Sequence, residues 1–162
     1  MSEDPSAALA PAAAAPGTSA TGSGKLVGAY AAKSAVANAA SICRWELLIL
    51  RVAWLAKSPY EWGEHVKISQ RYGVTKEEIA RVQQGSVAPG WSEHDAAILR
   101  GVEELLGDQC ISDATWAELA QSWDEAQLIE FPMMVGQYIA TALVQNALRV
   151  RLSDGRKGLR ER

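Results

Sequence analysis

Cysteine, histidine and phenylalanine are scarce in this chain of 162 residues, which contains two, two and one of them respectively. Cys43 and Cys110 are too few and too far apart to indicate a disulfide framework, and neither stands at metal-ligand spacing from another candidate ligand. We therefore interpret both as small buried hydrophobic residues. The chain also lacks a GxGxxG sequence, a P-loop and a cluster of metal ligands, so no metal or other cofactor is expected.

Long hydrophobic runs and an excess of positive charge are missing as well. The most apolar stretch, residues 131–144, is short and is interrupted by Gln137 and Thr141, which argues against a membrane span. The net charge of −3 argues against general nucleic-acid binding. The locally basic residues 153–162 are interpreted as a solvated tail.

Residues 1–24 consist almost entirely of Ala, Pro, Gly, Ser and Thr and are predicted to form a disordered tail, because they cannot bury enough apolar surface. Their acidic start and interrupting prolines differ from a secretory signal, so a cytoplasmic location is the default expectation. Residues 25–152 are then long enough for one folded domain. Within it, residues 26–39 are either a weak alanine-rich helix or disordered.

Every periodic segment of the predicted domain is helical and none alternates in the manner of a strand, so an all-α bundle is predicted. Capping residues and glycines predict helices over residues 44–57, 59–72, 76–84, 93–106, 113–122 and 124–152. Pro132 should kink the last helix. This helix and the first of the series carry more apolar surface than one small domain can cover, which points to a homo-oligomer.

The chemistry is expected between Glu46 and His65, where Glu46, Ser58, Glu61 and His65 follow one another at separations of twelve, three and four residues. Residues four apart share a helix face, so Glu61 and His65 should lie side by side as a proton-transfer pair. Glu46 lies in an apolar helix, where a buried carboxylate must be hydrogen-bonded, paired or neutral. Arg51 and His65 are both available as its partner, and a purely structural ion pair with Arg51 is one open interpretation.

This spacing resembles the active-site pattern of the alkylhydroperoxidase D and carboxymuconolactone decarboxylase superfamily, and the resemblance extends over about residues 44–150. Its most specific part is the segment YEWGEHV. The peroxidase branch has cysteines at the two middle positions, where this chain has Ser58 and Glu61, so disulfide chemistry cannot occur there. The decarboxylase branch tends to have an acidic residue four before the histidine, as Glu61 stands before His65.

The resemblance implies an alkylhydroperoxidase D-like (AhpD-like) helical bundle that assembles into trimers or hexamers. It further implies a cofactor-free lyase of aromatic-compound catabolism that decarboxylates or isomerises a small lactone or unsaturated carboxylic acid. In this interpretation His65, Glu61 and Glu46 are catalytic, and one of the two carboxylates stays protonated where both approach the imidazole.

Six further residues are candidates for substrate binding, and some of them have a structural alternative. Ser58 can simply cap a helix, and the aromatic residues can simply belong to the core. His94 has Asp95 as its charged neighbour, without the second carboxylate expected near His65, and is interpreted as a surface residue. The candidates are Ser58, Tyr60, Trp62, Trp54, Gln137 and Tyr138.

Two other functions remain open from the sequence. One is an alkylhydroperoxidase-like reductase that has lost its thiols, and the other is a non-catalytic oligomeric helical module. The partner expected from the first interpretation is a small-molecule substrate, with no nucleic acid and no membrane.

Overall fold

The computed structural model describes residues 39–152 and 158–159, with side chains from Cys43 onward. This part of the chain contains α-helices and no strand, which confirms the predicted all-α class. The predictions for residues 1–38 and for most of residues 153–162 lie outside the described residues. The helices are α1 (Ala39–Leu55), α2 (Pro59–Arg71), α3 (Lys76–Val82), α4 (Glu93–Gly107), α5 (Asp113–Ala120) and α6 (Glu125–Ala147).

Most helices begin at the capping residue that the sequence predicts. The side chains of Ser58, Ser92 and Ser112 each accept a hydrogen bond from a backbone N–H in the first turn of the helix that follows. Thr75 and Asp124 form complete capping boxes at the starts of α3 and α6. These local hydrogen bonds satisfy donors that the helix itself leaves free.

Two helix boundaries differ from the prediction by more than two residues. Helix α1 begins at Ala39 rather than at residue 44. Helix α6 ends at Ala147 rather than near residue 152, because Arg149 adopts a φ of 51° and the Val150 N–H turns back to the Gln145 carbonyl. That turn closes the helix in a Schellman motif. Pro132 lies inside α6, which continues through it as one element.

Helix α1 is the centre of the described bundle and packs against α2, α3, α4 and α6. Its apolar side chains enter two core clusters on different sides of the helix. Leu48 and Val52 belong to the cluster shared with α4, α5 and α6, whereas Leu47 and Leu50 belong to the one shared with α2 and α3. Because α1 is covered on several sides, its polar residues Glu46 and Arg51 are buried with it.

The turn between α1 and α2 reverses the chain and brings α2 back alongside α1. Lys57 adopts a φ of 52°, and the N–H groups of Lys57 and Ser58 donate to the carbonyls of Trp54 and Ala53. This is a second Schellman motif. The Asn146 side chain of α6 donates a hydrogen bond of 2.9 Å to the Ala56 carbonyl, so the turn is attached to the end of α6.

The environments of Cys110 and His94 differ from those expected. Cys110 is exposed, because α4 ends at Gly107 and leaves it in the loop before α5; the expected burial was wrong. His94 is only 8 % exposed and its ring packs edge-on against Trp123, with 5.1 Å between centroids, so its expected surface position was also wrong. Cys43 is half-buried.

Among the described residues, no helix is both long and apolar enough to cross a bilayer.

Candidate active site

His65 and Glu46 form the centre of the candidate site. The Nδ1 atom of His65 lies 2.9 Å from Oε2 of Glu46, although the two residues belong to different helices. The Glu46 side chain is 7 % exposed and that of His65 14 % exposed, so the carboxylate is buried while the imidazole reaches the surface. Because the carboxylate is an acceptor, Nδ1 carries the hydrogen of this bond and Nε2 is left to exchange a proton.

Glu61 is the second carboxylate of the site and lies one turn before His65 on α2. It is 2 % exposed, and its Oε2 atom has no hydrogen-bond partner within the described part of the chain. Burial raises the pKa of Glu61 to about 7, while the nearby His65 lowers it. Desolvation disfavours the charged carboxylate more than the imidazole favours it. Glu61 is therefore poised to hold or release a proton near neutral pH.

Tyr138 of α6 completes the group around the imidazole. Its ring meets that of His65 edge-on, with 5.4 Å between centroids and an interplanar angle of 87°. Burial and then the charges of Glu46 and Glu61 raise the pKa of the Tyr138 phenol. The phenol therefore stays protonated at neutral pH and can donate a hydrogen bond.

Ser58 is structural in this arrangement. Its hydroxyl accepts a hydrogen bond of 3.4 Å from the Glu61 N–H and donates one of 3.1 Å to Oε1 of Gln145. The side chain is fully buried, and both of these bonds hold the start of α2 in place. Among the residues that the structure describes, the hydroxyl is bonded to no base that could activate it as a nucleophile. Sequence reasoning missed Gln145, which lies on α6 eighty-seven residues away.

The remaining substrate-binding candidates are placed differently from one another. Trp54 and Trp62 pack together with 5.3 Å between ring centroids and both contribute to the core between α1, α2 and α3. Tyr60 is half-buried. Gln137 is exposed and its amide donates a hydrogen bond to Thr141 of the same helix; it makes no hydrogen bond to His65 in the described part of the chain.

Arg51 does not pair with Glu46. Its guanidinium lies 2.9 Å from Glu103 of α4 and donates to the carbonyls of Val82 and Gln83. The structural ion pair between Glu46 and Arg51 is thus replaced by two separate pairs. Among the described residues, the Glu46 carboxylate is bonded to His65 instead.

Two further observations describe the surroundings of the site. An apolar cavity of about 450 Å³ lies between α1, α4 and α6, and none of its lining residues belongs to the group around His65. Its lining residues are Leu55, Ala56, Glu103, Leu106, Gly107 and Ile139.

No group of three or more His, Cys, Asp or Glu side chains within residues 43–152 is arranged to hold a metal ion.

No protein-family model and no curated protein matches this chain. Among solved structures, it is similar to the crystal structure of a protein of unknown function from Agrobacterium tumefaciens, which has been suggested to be the antioxidant defence protein AhpD. The TM-score is 0.65 at 16 % sequence identity, over 80 % of this chain and 89 % of the other. The chain therefore has an AhpD-like fold, as its sequence pattern predicts.

Proposed function

We propose that this protein is a cofactor-free acid–base enzyme, a lyase or isomerase that acts on a small lactone acid or unsaturated carboxylic acid. The observation that carries the proposal is the grouping of His65, bonded to Glu46 at 2.9 Å, with a buried Glu61 whose pKa is raised to about 7. Perturbed carboxylates beside a histidine are typical of sites that transfer protons.

His65 is the group that exchanges a proton with the substrate through Nε2. Glu46 holds the ring in one tautomer and orientation by accepting the Nδ1 hydrogen, and it stabilises the imidazolium when Nε2 takes up a proton. Because the bonded carboxylate oxygen is buried, this support is less screened than a surface ion pair would be. Glu46 is thus a positioning residue.

Glu61 is the second proton carrier. With a pKa of about 7 it exists in both protonation states near neutral pH, which suits a group that gives a proton in one step and regains it in another. Its Oε2 atom is buried and has no hydrogen-bond partner within the described part of the chain, and in the proposed enzyme this atom exchanges the proton. Two carriers with different surroundings allow a proton to be removed at one substrate atom and returned at another.

In the decarboxylation that the sequence resemblance implies, the bond between the substrate carbon and its carboxylate breaks and carbon dioxide leaves. The electron pair passes into the conjugated carbonyl as a dienolate, which then takes one proton on carbon from Glu61 or from the His65 imidazolium. The Tyr138 phenol can donate a hydrogen bond to the developing oxyanion. Isomerisation uses the same groups, with proton removal replacing the loss of carbon dioxide.

A peroxide reductase is the second candidate, because the structurally similar protein from A. tumefaciens has been suggested to be AhpD. Thiol-dependent reduction requires a reactive cysteine, and the two motif positions hold Ser58 and Glu61. Turnover of organic peroxides that is lost in a chain carrying Cys43→Ser and Cys110→Ser would establish this candidate. We expect no thiol-dependent turnover.

A screen of unsaturated lactone acids and β-keto acids tests the proposal, with carbon dioxide release and isomerised product as the two readouts. We expect at least one substrate to be turned over by the wild-type chain and by Glu77→Gln, a matched carboxylate change at an exposed position of α3. The same substrate should be turned over poorly by Glu61→Gln. Failure of the whole panel would contradict the proposal and favour a non-catalytic helical module.

A further inference from the structure

The outward face of α6 carries a continuous apolar seam that is not covered by other described residues. Its members follow one another at alternating separations of four and three residues and all are exposed; Met133 and Leu143 are each 60 % exposed. The buried residues of α6 lie on the opposite face, where Phe131 and Val135 enter the core. The seam, called the outer α6 seam below, consists of Ile129, Met133, Gly136, Ala140, Leu143 and Ala147.

Alternating separations of four and three are the pattern by which one helix packs against another, with knobs from one entering holes of the other. No charged residue interrupts α6 between Glu130 and its last residue, Ala147. Exposed apolar patches of this kind mark contact sites. Gly136 and Ala140 lie in the middle, and a Cβ atom at Gly136 would meet nothing within 4 Å, so the small residue is not required by packing within the described chain. Small residues at this point allow a partner helix to approach closely.

We infer that the outer α6 seam binds the same seam of a second copy of this chain, with the two α6 helices antiparallel across a two-fold axis. The charges at the two ends of α6 support a second copy as the partner and an antiparallel orientation of the two helices. The start of the helix carries Glu125 and Glu130, and the chain just after it carries Arg149 and Arg151; none of the four forms an ion pair with another described residue. Antiparallel pairing places the acidic end of one copy against the basic end of the other, whereas parallel pairing would place like charges together.

The position of the small residues agrees with a two-fold contact. Gly136 and Ala140 lie near the middle of the seam, so a two-fold axis there places the small residues of both copies together and the bulky Met133 and Leu143 to either side. Such a surface is complementary to itself, as an isologous interface requires. The seam faces away from Tyr138 and His65, so this inference is independent of the proposed enzymatic function.

The first experiment measures the molar mass of the full chain by light scattering. We expect an even number of copies at micromolar concentration, and Ala140→Arg should halve the mass. The matched control is Ala117→Arg, which makes the same change at an exposed alanine of α5. Circular dichroism of both variants shows whether each remains folded. A monomeric or trimeric wild-type chain, or an unchanged mass for Ala140→Arg, would overturn the inference.

The second experiment determines the direction of the two helices by cysteine cross-linking in a chain carrying Cys43→Ser and Cys110→Ser. In the antiparallel arrangement Ala140→Cys lies near the axis and should form an intermolecular disulfide on oxidation. Met133→Cys should not, because its two copies would lie about 15 Å or more apart along the helices. Efficient cross-linking of both variants would show a parallel contact and refute the proposed geometry.

Discussion

Two carboxylates lie near one imidazole, and their surroundings give them different properties. Glu46 is bonded to His65 at 2.9 Å, whereas Oε2 of Glu61 has no hydrogen-bond partner among the described residues. Burial without such a partner is what raises the pKa of Glu61 to about 7. These different properties of Glu46 and Glu61 depend on individual side chains and can be tested one residue at a time.

Replacing His65 by glutamine should reduce turnover of the substrate found in the screen by about 10²–10⁴-fold, because the side chain keeps its polarity but cannot carry a proton. The loss should fall on kcat and leave the thermal unfolding midpoint nearly unchanged. Steady-state kinetics and thermal unfolding together provide the measurement. A matching loss of stability would instead identify His65 as a structural residue.

The free energy of unfolding should depend on pH through Glu61. Its pKa is raised from 4.5 to about 7 in the native state, so between these values the native state keeps a proton that the unfolded chain has released. Raising the pH through this window therefore removes stability. Urea unfolding at about pH 5 and about pH 8 should show this loss in the wild-type chain but a smaller one in Glu61→Gln. Equal losses in both chains would show that Glu61 is not the responsible group.

His94 should make the free energy of unfolding depend on pH in the opposite direction to Glu61. Burial and then the Arg44 charge lower its pKa from 6.5, and neither ring nitrogen has a hydrogen-bond partner within the described residues. Below about pH 6.5 the unfolded chain therefore binds a proton at His94 that the native state does not bind, so acid destabilises the native state.

His94→Phe keeps a ring against Trp123 and removes the unpaired nitrogens. We expect it to raise the free energy of unfolding by about 1 kcal/mol and to reduce the acid sensitivity. Urea titrations across acidic and neutral pH provide the measurement. A large loss of stability at neutral pH would indicate that the imidazole makes a required contact.

At the scale of the elements, the site depends on how the turn between α1 and α2 is held. The two side chains that hold it are neighbours on the last turn of α6: Gln145 accepts a hydrogen bond from Ser58, and Asn146 donates one to the Ala56 carbonyl. Tyr138 lies two turns earlier on the same helix and contacts His65. Helix α6 thus positions the site from one side while presenting the outer α6 seam on the other.

Ser58→Ala should lower stability by about 1–2 kcal/mol, because it removes the cap of α2 and leaves the Gln145 oxygen without its donor. The kcat of the folded variant should change less than fivefold, which corresponds to about 1 kcal/mol in the activation free energy, since both observed bonds of the hydroxyl are structural. Chemical unfolding and kinetics separate the two effects. Loss of activity on the scale of His65→Gln in a stable protein would assign Ser58 to the chemistry.

At the scale of the whole molecule, this chain and the similar protein from A. tumefaciens share a helical fold at 16 % sequence identity. A bundle tolerates such divergence because its core requires apolar volume at the right positions more than it requires particular residues. A shared fold does not establish a shared reaction, since a reaction depends on the few side chains of a site rather than on the fold that carries them.

Deleting residues 2–24 should leave the thermal unfolding midpoint and the turnover of the screened substrate unchanged. The reason is compositional: this segment offers almost no large apolar side chain to a core. Calorimetry and kinetics on the shortened chain are the measurements. A lower midpoint would show that the domain begins before residue 25.

Helix boundaries were largely predictable from the sequence because they depend on neighbours along the chain. Ser58, Thr75, Ser92 and Asp124 cap their helices through groups three residues away. The boundary at Ala147 was missed because residues 148–152 contain no glycine or proline that would predict the end of the helix. Arg149 ends it by adopting a positive φ.

The sequence by itself determined the all-α class, the capped starts of the helices and the placement of Glu61 and His65 on one face, since each follows from local geometry. Only the tertiary structure decided which partners meet across the bundle. It paired Glu46 with His65 and Arg51 with Glu103, buried His94 and brought Tyr138 to the imidazole. These contacts join residues on different helices, and their choice depends on how whole helices pack, which no short stretch of sequence contains.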